Sequence, residues 1–201
     1  MKTLAIALAL ALIGSTSFAN DGNGDKYTVQ TKTSTLNWVG KKVGGSHTGT
    51  IAIKEGTLTV ANGKIETALV TIDMTTIRVT DEGMDDGTKG KLVGHLNSPD
   101  FFNVEEHTTA KFQLTAFTPI QSSTVANYTV TGKLTIKGIT HEITFPAIVR
   151  MSEGRIEASA NLTFDRSKWD VRYGSGSFFD NLGDKVIYDD VQIGFNFVAT
   201  K

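Results

Sequence analysis

Residues 127–150, Asn-Tyr-Thr-Val-Thr-Gly-Lys-Leu-Thr-Ile-Lys-Gly-Ile-Thr-His-Glu-Ile-Thr-Phe-Pro-Ala-Ile-Val-Arg, decide the fold. Tyr128, Val130, Gly132, Leu134 and Ile136 alternate with threonines and a lysine. After Lys137-Gly138 the alternation resumes through Ile139, His141, Ile143, Phe145, Ala147 and Val149. A period of two, rich in β-branched residues and joined at a glycine, predicts an antiparallel hairpin with one apolar face. A lone two-stranded ribbon is not stable in water, so that face must be covered by the rest of the chain.

The same alternation recurs on both sides. Strands are expected over 34–41 (Leu36 and Trp38 on one face), 47–54 (His47, Gly49, Ile51, Ile53) and, after a break at Gly56, 57–60. Beyond the Asn62-Gly63 turn they continue over 64–74 (Ala68, Val70, Ile72, Met74) and 111–118 (Phe112, Leu114, Ala116). Two more follow the hairpin, 155–165 (Ile156, Ala158, Ala160, Leu162, Phe164) and 190–200 (Val191, Ile193, Phe195, Phe197, Ala199). The middle differs. Residues 80–97 are polar and Gly-punctuated, and Leu92, Val93 and Leu96 lie at helical spacing, so a short helix is expected over 90–96, stopped by Asn97-Ser98-Pro99. Phe101-Phe102 follows in a loop, as a plug for the core or part of a lid. About eight strands, one or two short helices and no parallel crossover define an all-β chain. An up-and-down antiparallel barrel is its natural form, because closure removes sheet edges.

The N-terminus is set apart from this pattern. Met1-Lys2, an apolar run over 4–13 and Ser17-Phe18-Ala19 read as a secretory signal, with the cut expected after Ala19 and the mature chain exported. Residues 20–26 read as a flexible leader and 27–201 as one domain. A calcium loop starting at Asp21 would need Gly and Glu where Lys26 and Lys32 stand, so none is read there. The absence of cysteine excludes disulfides and thiolate chemistry. A net charge of −1, with scattered basic residues, gives no nucleic-acid footprint.

An eight-stranded barrel either fills its interior with side chains or holds one small ligand. Several inward positions are small (Gly49, Ala68, Ala116, Gly132, Ala158, Ala160) and several large (Trp38, Phe112, Phe145, Phe164, Phe195). Small residues leave volume unless rings from opposite walls meet over them. A hollow interior lined this way takes a hydrocarbon chain. At about 0.8 kcal/mol per buried CH₂, a five-carbon isoprene unit contributes roughly 4 kcal/mol before ordering costs.

Polar chemistry is sparse. The four histidines, His47, His95, His107 and His141, show no metal-ligand spacing, and no GxSxG elbow occurs. Adjacent carboxylates such as Asp85-Asp86 point apart on strands or loops. His47 falls on the inner face as either a satisfied core histidine or a polar contact to a ligand head. Arg166, Lys168 and Arg172 flank Trp169 and read as a solvated loop or a basic mouth.

Five stretches in order resemble the YceI-like family. They are 38–49 (Trp-Val-Gly-Lys-Lys-Val-Gly-Gly-Ser-His-Thr-Gly), 95–104 (His-Leu-Asn-Ser-Pro-Asp-Phe-Phe-Asn-Val), Phe112, the run 130–140, and Asp165-Arg166 with 171–174. Thr108-Thr-Ala110 stands where many relatives carry Tyr-Pro. The resemblance implies a lipocalin-like barrel, exported to the periplasm, that holds a polyisoprenoid chain in its cavity with the head near the mouth. The expected reading is therefore a non-enzymatic carrier or store for an isoprenoid quinone or polyprenyl phosphate, bound as ligand with no cofactor. Its expected wall is Trp38, Ile51, Val70, Ile72, Phe112, Leu114, Leu134, Ile136, Phe145, Leu162, Phe164 and Phe195. His47 and Arg166 are the head-group candidates, Phe101 and Phe102 cover one end, and Leu92 and Leu96 form the lid. Transient contact with a membrane or membrane enzyme, and a homodimer, stay open as partners. The competing readings are an enzyme using His47 on a bound amphiphile, and a solid barrel acting as an interaction module.

Overall fold

The computed structural model describes residues 24–201; the expected signal peptide, 1–19, and most of the leader lie outside the described residues. The chain forms β1 (Asp25–Val29), β2 (Thr35–Lys42), β3 (Gly45–Ala61), β4 (Lys64–Val79), α1 (Asp86–Asn97), β5 (Thr109–Pro119), β6 (Tyr128–Ile136), β7 (Ile139–Ser152), β8 (Arg155–Asp165) and β9 (Ile187–Thr200). All pairings are antiparallel. β2 to β9 make a closed eight-stranded barrel in which β3 pairs with β4, and β1 lies end to end with β2 in the slot between β3 and β9.

The deciding hairpin is β6–β7, with Val130 opposite Phe145 and Leu134 opposite His141. Lys137 and Gly138 both take positive φ, 50° and 74°, the two-residue turn whose twist matches the strands it joins. Asn62-Gly63 does the same between β3 and β4.

β4 and β9 are longer than in the sequence reading, reaching Val79 and starting at Ile187, and three further boundaries differ for local reasons. Gly56 does not break a strand; β3 runs through it, because a Cβ there would collide with Val29 of β1 and its absence lets β1 pack close. The leader therefore gives way to a strand at Asp25. The helix begins at Asp86, one turn earlier than expected, because Asp85 caps it, its Oδ1 accepting from Thr88 N at 3.0 Å and Oδ2 from Thr88 Oγ1.

The barrel has two unlike ends. One carries the tight turns at 62–63 and 153–154, and there Val29, Ile65, Ile156 and Ala199 are buried while Phe117 stacks on Tyr128 at 4.0 Å. The other carries the long connections, 80–108 with α1 and 166–186. Buried Trp169, whose Nε1 donates to Leu134 O at 3.0 Å, docks the second of these onto β6.

Candidate functional site

The strands enclose a cavity of about 570 Å³, within the range of small-molecule sites. The interior is neither packed shut by its own rings nor lined with charge, which removes the solid-barrel reading. Along β9 the lining extends from Ile187 to Ala199, about 40 Å of strand at ~3.3 Å per residue. With the usual barrel tilt of about 40° that is roughly 30 Å of depth.

Every residue expected at the site lines this cavity. β2 supplies Trp38, β3 His47 and Ile51, β4 Val70 and Ile72, β5 Phe112 and Leu114, and β6 Leu134 and Ile136. Phe145 comes from β7, Leu162 and Phe164 from β8, and Phe195 from β9. Leu92 and Leu96 come from α1, Phe101 and Phe102 from the loop after it, and Arg166 from the turn after β8. Phe101 is buried between the edge of His95 and the Arg166 guanidinium, 5.3 Å from its ring. Tyr173 meets His95 edge-on at 4.2 Å, so the two long connections join through aromatic contacts over this end.

The small residues act differently from the sequence reading. Only Ala68 and Ala158 of that set line the cavity. At Gly49 a Cβ would strike the Trp38 ring and Arg78 O, and at Gly132 the Phe112 ring and Gln113 O. These glycines are seats for aromatic rings on the neighbouring strand, which set Trp38 and Phe112 flat on the wall. Ala116 is exposed, because a register shift between Leu114 and Ala116 reverses the alternation and turns Phe117 inward.

Arg166 is the main correction. It is 1% exposed. Its Nε donates to Tyr188 O at 3.3 Å, Nη1 to Val171 O at 2.8 Å, and Nη2 to Tyr173 O at 2.9 Å and Ile187 O at 3.0 Å. Nη2 also lies 3.4 Å from Asp189 Oδ1, and Asp189 Oδ2 accepts from Ser175 Oγ and Ser177 Oγ. Burial lowers the guanidinium pKa, opposed by the charges of Asp189 and Asp165. This side chain fastens the 166–186 connection to the start of β9. Its donors are committed to backbone rather than to a head group.

His47 keeps its place at the wall and gains a partner the sequence did not reveal. Its Nδ1 is 2.6 Å from Asp81 Oδ2, while Asp81 Oδ1 accepts from Thr48 N at 2.6 Å and Thr48 Oγ1 at 3.0 Å. Burial raises the Asp81 carboxyl, but the hydrogen bonds from His47 and Thr48, with the His47 charge, outweigh it and hold the group below its ordinary pKa.

The sequence reading put Met74 on the apolar face of its strand without counting it among the site residues, and it missed Ile77; both are buried and on the lining. They sit in a bulge of β4, where Thr50 pairs with Arg78 but Ala52 pairs with Asp73. Lys41, Lys42, Tyr173, Asp184, Lys185 and Tyr188 add a polar rim. For Lys42 a signal existed, since it continues the Leu36, Trp38, Gly40 alternation, as Met74 continues that of Val70 and Ile72; for Ile77 none did. Among the described residues no group of three or more His, Asp and Glu side chains could hold a metal ion.

A family model described as a YceI-like domain matches residues 27–199. BcnA from Burkholderia cenocepacia is similar in structure, at 26% identity over 86% of this chain and 99% of that one, with a TM-score of 0.65. A polyisoprenoid-binding domain from Saccharophagus degradans, implicated in plant cell wall breakdown, is 18% identical over 87% and 97%, with a TM-score of 0.61. A YceI protein of Campylobacter jejuni is 18% identical over 74% and 82%, with a TM-score of 0.54. No curated protein sequence matches the chain significantly.

Proposed function

The chain belongs to the YceI-like family, and from that premise we propose that it is an exported carrier or store for a long-chain isoprenoid lipid, a quinone or a polyprenyl phosphate. The single observation that carries this reading is the cavity itself: deep, about 570 Å³, apolar along its length, with polar side chains gathered at one end. Such a wall offers transfer free energy and few directional contacts, so it selects for hydrocarbon rather than for a particular polar shape. The polyisoprenoid-binding domain with the same fold supports the choice of chain class. The signal-like segment 1–19 supports export.

The His47–Asp81 hydrogen bond is the one arrangement that favours an enzymatic reading, because an oriented imidazole beside a bound amphiphile has the geometry of a general base. His47→Ala separates the two, abolishing turnover under that reading and leaving prenyl-chain binding under ours.

Lipid extraction and mass spectrometry of protein purified from its native compartment tests the proposal. The expected result is an isoprenoid lipid near one per chain and a mature N-terminus at Asn20. Protein that is always empty, and that refuses added prenyl lipids, overturns it.

A further inference from the structure

We infer that the head of the bound lipid is a compact anion, a phosphate or carboxylate, seated in a recess over Gly40; the inference rests on the carrier reading above. On β2 the inward positions run Leu36, Trp38, Gly40, Lys42 towards the polar end, and all four line the cavity. At Gly49 and Gly132 a neighbouring ring occupies the space a Cβ would take. At Gly40 a Cβ would meet nothing within 4 Å. The wall is recessed there, and no positive φ demands the glycine.

The recess is widened from the side. Gly40 pairs with Val191 but Lys42 with Ile187, so residues 188–190 of β9 bulge opposite Lys41. The Arg166 hydrogen bonds to Ile187 O and Tyr188 O hold that bulge open.

The polar groups around it are mainly donors. His47 pairs with Gly40 across β3; its Nδ1 is taken by Asp81, and Nε2 has no hydrogen-bond partner among the described residues. Trp38 Nε1, on the inward residue two before Gly40, is buried without an acceptor, while in the bulge Asp189 Oδ1 is buried without a hydrogen-bond donor. Lys41, Lys42 and Lys185 line the rim, and among the described residues none of them is in an ion pair. Against these stand four carboxylates, Asp81, Asp184, Asp189 and Asp190. Asp81 is occupied by His47 and Thr48; Asp189 Oδ2 accepts from Ser175 and Ser177, while its Oδ1, without a hydrogen bond, lies 3.4 Å from Arg166 Nη2; Asp190 is exposed in the bulge, and only Asp184 lines the rim. A buried indole N–H lacking an acceptor, with ammonium groups lacking counter-ions, selects an acceptor-only, negatively charged head over a hydroxyl.

The test compares four probes by calorimetry on delipidated full-length mature protein: geranylgeranyl monophosphate, geranylgeranoic acid, geranylgeraniol and inorganic phosphate. At least one anionic lipid is expected to bind about tenfold tighter than the alcohol, the effect of one charge-assisted hydrogen bond, with a margin that shrinks as salt rises. Inorganic phosphate is expected to bind far more weakly than either. Gly40→Leu, which fills the recess, and Lys42→Gln, an exposed change that leaves the fold alone, should each bring the anion-to-alcohol ratio close to one. Equal affinity for alcohol and anions in the parent, or a ratio unmoved by both variants, overturns the head site and leaves the carrier reading intact. Inorganic phosphate binding as tightly as the lipid phosphate also overturns it, since the recess would then serve a free anion. If none of the three lipids binds, the carrier reading fails and takes this inference with it.

Discussion

Replacing Arg166 with Met separates a bolt from a ligand contact. The guanidinium is 1% exposed and reaches four backbone carbonyls across two segments, with Asp189 alongside. Met fills much of the volume but leaves Val171 O, Tyr173 O and Ile187 O without their donors and the Asp189 charge without its cation. Breaking a buried pair in this way costs about 3–5 kcal/mol. For a domain of this size, roughly 2–4 °C of Tm is lost per kcal/mol, so thermal unfolding of the delipidated protein should fall by about 6–20 °C. Arg166→Lys keeps the charge but cannot span the four carbonyls, and should recover only a minor part of the loss. Hydrogen exchange should show amides 171–190 losing protection first. If either variant melts within about 2 °C of the parent yet binds lipid much more weakly, the guanidinium serves the ligand and the structural account of it is wrong.

Other perturbations probe other parts of the barrel. Gly49→Ala forces a Cβ against Arg78 O and the Trp38 ring, so it should lose about 1–3 kcal/mol in denaturant unfolding; Gly40→Ala, facing open space, should stay within about 0.5 kcal/mol, and equal effects would refute the distinction drawn between the two glycines. Asp81 is held below its ordinary pKa in the folded state, so its contribution is complete above about pH 4 and disappears as pH falls through the lower folded value. The stability gap between parent and Asp81→Asn should therefore be present at pH 7 and shrink under acid; a pH-independent gap would contradict this. Ala158→Leu adds three carbons to the lining and should remove about 2 kcal/mol of chain burial from the longest prenyl ligands, with Tm of the delipidated protein unchanged or raised. A drop in Tm would mean that the space is not empty.

The wall was legible because one rule, the two-residue period, governs most of it. Val70, Ile72, Leu134, Ile136, Leu162, Phe164 and Phe195 all sit in regular paired stretches, and their parity in the sequence is their parity in the barrel. Parity cannot cross a bulge. Met74 keeps the parity of Val70 and Ile72, but Ile77 turns inward within one bulge and Phe117 replaces Ala116 after another, with no local residue to announce the change. Gly49 and Gly132 show a different limit. Alternation placed them on the inner face, but whether a small residue leaves a void or seats a ring depends on the partner strand, and therefore on register. The same holds for Arg166, whose carbonyl partners include residues about twenty positions away in the chain.

Single-residue register shifts at 53–55, 59–60 and 114–116 lie along the wall or towards the tight-turn end, whereas the larger departures gather at the other. The bulge of β9 at 188–190, the bulge of β4 at 74–77, the Asp81 hydrogen bonds and the Arg166 fastening all belong to the end that carries the long connections. In a regular closed barrel the diameter is set by strand number and stagger alone, so an opening with its own chemistry has to be made by departures from regularity. Such departures are what a periodic reading cannot see. Hydrocarbon capacity follows from the repeated pattern and is written along every strand. On the proposed reading, head-group choice follows from the interruptions, and it changes if one of them, such as the bulge opposite Lys41, is straightened. Deleting one residue from 188–190 to restore regular pairing between β2 and β9 should therefore leave binding of a plain prenyl alcohol far less affected than binding of an anionic one. A loss that falls equally on both would show that the bulge shapes the whole barrel rather than its mouth.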